Sequence, residues 1–594
     1  MNMKRIYLAL AAIFMSASVS FGQNFNPTVE VTNTYHGNPS EAHKPLLEMN
    51  VPDSLLRFDL DFDYEVFNKP YQGAYSFKPY MLDMRPAKDA WRGRKLFLKA
   101  GAGYSFHPQL DFVFSPELSG PFQMSIYASH KSYFGNYHKI SPVLGEDDIF
   151  RLKETDGHFS GHDALTSAGF DGLYCWDKAI LSFGVGYYGL AAKDTVMSRF
   201  YNALDFNARV RSNNDSESYF LYDIGIKGRV ANDGLDYKSF TFPSGAEIDK
   251  QNESWVFLDG LAGVVKDSRR SILVGFEAES ASYGQFYDGN IGRIALVPSY
   301  RVKSGRWNLN LGVKFEVMFR NDASDSLAFH KMGGGKGQIV YPDAHVSFAA
   351  GESVSLYADA TGGSRLNTYS SQISENHHLN HSFLTAPEYE TLTALIDNTV
   401  EKVNAKIGVR GSIASSLQFD VNGGVGVYGN ALMDYGYFGN NGHFLPSLTY
   451  SDINLIYANV LLGWKSSCVK IDADLRYRSM SFSDNDAKNL GFVLPKYSGG
   501  LRATYSLSSR LYAGVAVEAS SWREGWCESE EVLADDAKVR VPGYVNLGLN
   551  CGYKFNRKLE LWLESGNLLC QTIQRNPLYA EKGLWVTAGV SLNL

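Results

Sequence analysis

Three features of this 594-residue chain predict an all-β fold, a large antiparallel transmembrane β-barrel of about 22 strands, with 20–22 the expected range. The first is strict alternation of apolar with small or polar residues, clearest in Trp585–Leu594, where Val586, Ala588, Val590, Leu592 and Leu594 oppose Thr587, Gly589, Ser591 and Asn593. A chain that stops on such a strand suits a barrel whose last strand closes on its first. The second is composition. There are 36 Tyr, 36 Phe and 56 Gly but only 20% charged residues, as expected when one strand face meets lipid and the other water. The third is a rhythm of connections, short then long.

The N-terminus has the layout of a secretory signal: Lys4 and Arg5, an apolar core from Ile6 to Met15, then Ser20 and Gly22 as small residues before cleavage at Gln23. A transmembrane helix is the alternative, but the run is short and Ser-rich after Met15. No Cys lies near the cleavage site for lipid anchoring, and beyond residue 23 no run of about eighteen apolar residues occurs. Residues 23–94 carry Pro27, Pro39, Pro45, Pro52, Pro70, Pro79 and Pro86 with little alternation outside Leu56–Tyr64. They form a periplasmic extension able to enter the lumen. The expected domains are therefore a signal peptide (1–22), this extension (23–94) and the barrel (95–594).

Strands are expected to start near residues 95, 108, 122, 162, 179, 202, 218, 253, 270, 291, 305, 337, 352, 400, 416, 452, 468, 495, 510, 542, 558 and 584. In Trp307–Phe319 the odd residues are apolar and face away from Asn308, Asn310, Gly312, Lys314 and Glu316. Val403, Ala405, Ile407 and Val409 oppose Asn404, Lys406, Gly408 and Arg410 in the same way. Val469, Ile471, Ala473, Leu475 and Tyr477 oppose Lys470, Asp472, Asp474, Arg476 and Arg478, and Leu547, Leu549, Cys551 and Tyr553 oppose Asn546, Gly548, Asn550 and Lys554. Successive strand residues point to opposite faces, so each segment has a greasy side and a wet side. A soluble sandwich fits less well. The segments run about ten to thirteen residues, a bilayer-crossing length. Charges sit in mid-face, and a dry core rejects them. Aromatics gather near strand ends (Tyr174 with Trp176, Tyr187 with Tyr188, Trp307) as in interfacial girdles.

Short turns such as Asp177-Lys178, Ser415-Ser416 and Asn556-Arg557 alternate with long connections at 133–160, 231–252, 320–336, 365–399, 429–451 and 524–541. The short ones are expected in the periplasm and the long ones outside, with both termini periplasmic. The net charge of −7 gives no basic footprint, so nucleic acid is excluded as a partner. Five Cys (175, 468, 527, 551, 570) show no CxxC or zinc spacing; Cys551 sits at a lipid-type position, and a Cys527–Cys570 disulfide between loops is one option.

Glu564-Ser-Gly-Asn567-Leu-Leu569, a loop, and then the Gly583-led final strand resemble the C-terminal strands of TonB-dependent receptors. The resemblance covers about 95–594 and is one of architecture. The Lys-x-Tyr that often follows Asn-Leu is missing, and the 72 residues of 23–94 are fewer than that family's plug domain needs. Thr28-Val-Glu-Val-Thr32 faintly resembles a TonB-contacting segment. The resemblance implies a plugless, receptor-like barrel, which leaves open what fills so wide a lumen.

Candidate chemistry is sparse. His377, His378 and His381 with Glu375, and separately His158, His162 and Asp163, are ligand-type clusters in outer loops without a register to fix them; a polar surface loop explains both. Met332-Gly-Gly-Gly-Lys336-Gly337 lacks the Ser/Thr and the helix of a phosphate loop. No nucleophile elbow or metal motif marks an enzyme, and no cofactor or metal is expected. Eleven charges fall on inward-type positions: Asp223, Lys227, Arg229, Glu277, Glu279, Lys314, Glu316, Asp472, Asp474, Arg476 and Arg478. They are candidates for lining a watery lumen, and the plainer reading is cross-strand ion pairing that stiffens the wall. The expected function is a channel or transport component, porin-like, in the outer membrane of a Gram-negative bacterium. The alternative is a non-transporting scaffold for a surface lipoprotein or an assembly or secretion complex. Expected partners are outer-membrane lipid and a surface lipoprotein or periplasmic protein.

Overall fold

The computed structural model describes residues 95–116, 118, 120–193, 197–212, 220–237, 250–267, 269–285, 289–322, 340–379, 397–414, 416–438, 444–483, 491–529 and 537–594. The signal and extension segments, Met332–Gly337 and His381 lie outside them.

The strands in chain order are β1 (Leu96–Tyr104), β2 (Gln109–Phe114), β3 (Phe122–Leu144), β4 (Ile149–Trp176), β5 (Ala179–Lys193), β6 (Met197–Ser212), β7 (Phe220–Tyr237) and β8 (Gln251–Asp267). They continue as β9 (Arg270–Gln285), β10 (Gly289–Ser304), β11 (Trp307–Asp322), β12 (Val340–Ala349), β13 (Val354–Asn367), β14 (Asp397–Ile413), β15 (Leu417–Phe438), β16 (Phe444–Lys465) and β17 (Val469–Phe482). The last eight are β18 (Gly491–Phe492), β19 (Tyr497–Ser506), β20 (Leu511–Ser520), β21 (Arg523–Ser529), β22 (Ala537–Val541), β23 (Tyr544–Lys554), β24 (Leu559–Gly566) and β25 (Trp585–Asn593). Among the described residues one helix, α1 (Tyr369–Glu375), follows β13.

Twenty-two of these strands form one closed antiparallel ring, each paired with the next, and β18, β21 and β22 stand outside it. The ring closes where β1 meets β25, with Phe97 opposite Asn593 and Tyr104 opposite Val586. Leu594 N–H donates to Leu96 O (2.9 Å) and its carbonyl accepts from Leu96 N–H (3.0 Å), so the last residue is part of the ladder. Inside this seam Lys99 on β1 reaches past β25 to Glu564 on β24 (2.6 Å) and lies over the Trp562 ring (4.2 Å). Gly101 and Gly589 face each other there, and a Cβ at either would run into Trp562.

Alternation sorts the two faces as the sequence requires. On β11, Leu311, Val313, Phe315, Val317 and Phe319 are exposed while Glu316 is buried; on β17, Leu475 is exposed and Arg478 buried. Apolar residues exposed in a continuous belt are what a lipid-facing wall needs.

Three of the long connections are strand instead of loop. Residues 133–160 are the upper parts of β3 and β4, a hairpin continued to the turn at 145–148 with one bulge near His138. Residues 429–451 extend β15 and β16, and 524–541 contain β21 and β22. The hairpin holds because Tyr133, Tyr137 and Phe159 make ring contacts along one face (5.2 and 5.4 Å). Two smaller expectations also change. Tyr174 and Trp176 are exposed neighbours, but Tyr188 turns inward against Tyr201 (6.0 Å) and Arg229 (5.0 Å), since adjacent strand residues cannot share a girdle. The expected Cys527–Cys570 disulfide is not formed. Cys527 is buried among Leu152, Phe492, Ala537 and Val539, whereas Cys570 is exposed.

Candidate functional site: the closed outer mouth

The end of the ring that carries the long connections is closed from within by three pieces of the chain. The first follows β13. Thr368 caps α1, its hydroxyl accepting from Ser371 N–H (3.3 Å), and Asn376 ends the helix. So short a helix has no stability of its own; burial of Tyr369, Ile373 and Leu379 against Leu190, Tyr201, Ala231 and Tyr283 holds it. Polar contacts fix it to the far wall. Tyr369 OH donates to Asp233 (2.5 Å), and Ser370 donates through N–H and Oγ to Glu253 (2.7 Å each). Arg199 donates to Asp233 (3.1 Å), to His377 O (2.7 Å) and to Leu379 O. His377 Nδ1 meets the Asp163 carboxylate at 3.2 Å. Asp163, Arg199, Asp233 and Glu253 lie on β4, β6, β7 and β8, so a segment leaving β13 reaches them only across the interior.

The second piece is the connection between β24 and β25, residues 567–584. Arg575 pairs with Glu518 (2.7 Å) and Glu581 (3.2 Å), and Gln574 donates to Leu152 O (3.1 Å). Lys582 Nζ donates to His107 Nε2 (2.7 Å), which leaves His107 neutral with Nδ1–H directed at Thr587 Oγ1 (2.9 Å). Burial, then the Lys582 and Lys131 charges, push His107 down to about 3. Burial likewise lowers Lys582 to about 8, against the pull of Glu581. The two pieces touch where His378 stacks on Tyr579 (4.1 Å, 7°).

The third piece is the β21–β22 hairpin. β22 pairs in parallel with Ile149–Arg151 of β4, on the edge that β3 leaves free, and β21 pairs in parallel with Tyr437–Phe438 of β15, on the edge away from β16. A continuous backbone-bonded sheet therefore runs β3-β4-β22-β21-β15-β16, joining two wall strands half the ring apart. Its inner face, Cys527, Ala537, Val539 and Val541, packs on Leu152, Phe492 and Leu578.

Below the closure the wall opens. Down the inner face of β6, Arg199, Tyr201 and Ala203 are buried, whereas the side chains of Asp205 and Arg209 further along the same strand are 38% and 41% exposed. The eleven charges singled out from the sequence lie on the face opposite the exposed apolar rows, the face that meets α1 higher up. Most are paired. Arg229 binds Asp205 (2.6 Å) and Asp223 binds Arg209 (2.6 Å). Arg293 joins Glu277, Glu279 and Glu316 (2.7, 2.7 and 3.3 Å), and Lys314 also binds Glu277 (2.9 Å). Asp474 pairs with Arg476 (3.2 Å) and Asp472 with Lys470 (3.6 Å). Lys227 faces Phe257 across the β7–β8 ladder and Arg478 faces Tyr457 across β16–β17.

The two His-containing clusters meet through His377 and Asp163, but Glu375 pairs with Arg365 (3.7 Å) and His378 is stacked, so each serves the closure. Among the described residues no group of three His, Cys, Asp or Glu side chains is placed to hold a metal ion. Arg199, Asp233 and Glu253 were not singled out from sequence; each is one charge on an alternating strand, and only the partner 117 or more residues away gives it meaning.

The wall and topology share the fold of solved receptor and transporter barrels. Among solved structures the chain is similar to the copper transporter OprC (TM-score 0.56, 14% identity, 84% of this chain over 80% of that one). It is also similar to the siderophore receptor PirA from Acinetobacter baumannii (0.55, 10%, 84% over 80%) and to FpvA of P. aeruginosa bound to pyoverdines (0.58, 10%, 84% over 72%). No protein-family model and no curated protein matches the chain. Identities this low carry the fold alone, and the relatives are receptors or transporters rather than enzymes.

Proposed function

We propose that this protein is an outer-membrane transport component, a receptor-like barrel that admits a solute once its own loops move aside. The observation that supports this best is the exposure gradient along β6. A closure confined to the loop end sits above a chamber lined by solvent-exposed charges on the turn end. A wall built only for anchoring needs no such chamber. In this reading the chain is exported by its signal peptide, the short turns face the periplasm, and a periplasmic partner or residues 23–94 meet the open end. The cargo of its structural relatives does not follow from the fold.

Conductance in planar bilayers tests the proposal. Wild-type protein is expected to be nearly silent, and an Arg199→Ala variant, or deletion of 23–94, to open it. Silence of all three forms would overturn the transport reading. A second reading, a scaffold for a surface lipoprotein or an assembly complex, is favoured by the upper hairpins and their own apolar core. It expects a near-stoichiometric partner after mild detergent extraction and no conductance from any form.

A further inference from the structure

The segment that crosses the interior from β13 lands on charges, and its contacts show what those charges recognise. Arg199, Asp233 and Glu253 are buried on three adjacent wall strands, β6, β7 and β8. Arg199 and Asp233 hold each other (3.1 Å), but the ladder neighbours of Glu253 are Ala231 and Tyr283, neither of them a cation. Among the described residues, both hydrogen bonds that Glu253 accepts come from Ser370, one from its main-chain N–H and one from its hydroxyl (2.7 Å each). The two terminal nitrogens of Arg199 donate to the main-chain carbonyls of His377 and Leu379, two residues apart. Tyr369 gives its hydroxyl to Asp233 Oδ2 (2.5 Å) and packs with Leu190, Tyr201, Ala231 and Tyr283. Asp233 Oδ1, on a side chain with no exposed surface, receives no hydrogen bond from any described residue.

We infer that this wall patch is a peptide-binding site, and that the lid fills it as an internal stand-in for a short peptide carrying an aromatic residue followed by serine. The lid's own bonds select the ligand. Two carbonyls on one guanidinium, an N–H and a hydroxyl on one carboxylate, and an aromatic ring in an apolar recess are the groups of a peptide. A glycan brings hydroxyls but neither the spaced carbonyls nor the N–H. Lifting the lid takes both donors from Glu253 and both acceptors from Arg199, and bonds to charged groups are the costly ones to lose. An incoming peptide that supplies the same bonds favours the lifted state by its preference for it, and Asp233 Oδ1 offers an acceptor that the lid leaves unused. The inference rests on the transport reading, in which the lid moves.

The test uses the full chain in phosphatidylcholine nanodiscs and a fluorescent, end-blocked peptide with the sequence of Thr368–Leu379. Fluorescence anisotropy reads its binding. Wild-type protein is expected to bind weakly, because the tethered lid competes at a local concentration of about a millimolar. Tyr369→Ala in the protein loosens the lid and is expected to tighten binding of the added peptide roughly tenfold. Adding Arg199→Ala or Glu253→Ala to that variant is expected to remove binding, and a peptide with alanine in place of its tyrosine and first serine is expected not to bind. Heat-modifiable migration confirms that each variant is folded. No binding to the Tyr369→Ala protein, binding indifferent to Glu253→Ala, or equal binding of the alanine peptide would each overturn the assignment. Conductance is not read, so failure here leaves the transport proposal to its own bilayer test.

Discussion

Arg199 is the side chain on which the closure depends. It is fully buried, pairs with Asp233, and donates to two carbonyls of the segment that crosses the interior. Removing one partner of such a pair leaves an uncompensated charge and costs about 3–5 kcal/mol. Arg199→Ala is therefore expected to free residues 376–379 while the wall survives, read as new reactivity of a cysteine placed at Ser371; an unreactive Ser371→Cys in that background would contradict it. Proton linkage acts on the same segment. Burial, aided by Asp434 and opposed by Arg365, raises Glu375 to about 7, and Asp163 holds His377 above its usual value against burial and the Arg199 charge. Both groups bind protons more tightly in the closed form, so their contribution to closure is present at low pH and lost as pH rises through those values. Lys582 is lowered to about 8 and works in the opposite sense. It is already charged below about pH 7.5, so it adds no slope there. His107, held down to about 3 against the second lid segment, opposes them as pH falls below 6.5. In a His107→Gln background, single-channel recordings should therefore show opening falling as pH is lowered from about 7.5 to 5.5; a rise would refute the assignment. None of this was legible in the sequence. His377 and Asp163 stand 214 residues apart, and spacing within each cluster says nothing about a meeting across a lumen.

At the level of elements, wall strands were readable and their upward continuations were not. Period-2 patterning marks a strand when one face is uniformly apolar. Above the lipid both faces are mixed, as in His130–Tyr137, so the signal fades while backbone pairing goes on. The same holds for β21 and β22, whose inner residues are apolar over only five positions. Val539 is fully buried in that small core. Val539→Asp would bury an unpaired charge and is expected to detach the hairpin from β4, seen as new tryptic cleavage after Lys538 or Arg540 of β22 in folded protein; no new cleavage there would argue against the pairing. The meeting of the two lid segments has its own check. In a background without the native cysteines, His378→Cys with Tyr579→Cys should cross-link under oxidation, because the parent rings are 4.1 Å apart. Failure to cross-link would place the segments elsewhere.

For the whole molecule, the strand number and closure followed from sequence because register in a half-buried sheet is set by pattern: a one-residue slip would turn every apolar side chain inward. The last strand shows this most directly. Its ladder to β1 uses every residue from Val586 to Asn593, and the Lys99–Glu564 pair spans it from inside. Removing Val590–Leu594 is expected to abolish the compact, fast-migrating form in unheated gels, leaving a species that runs as unfolded chain. A compact form that persists would mean the seam is dispensable.

A sheet tying β4 to β15 has a mechanical consequence for any opening. An empty hoop of strands flattens easily, since its rim is held only by its neighbours. A strut fixed by hydrogen bonds to two opposite points resists that ovalisation and divides the mouth into two D-shaped windows. The window over β5 to β14 holds α1, and the one over β16 to β3 holds residues 567–584. Passage then requires a shutter to swing within one window while the frame stays rigid, and the width of that window, rather than the diameter of the ring, limits what can cross.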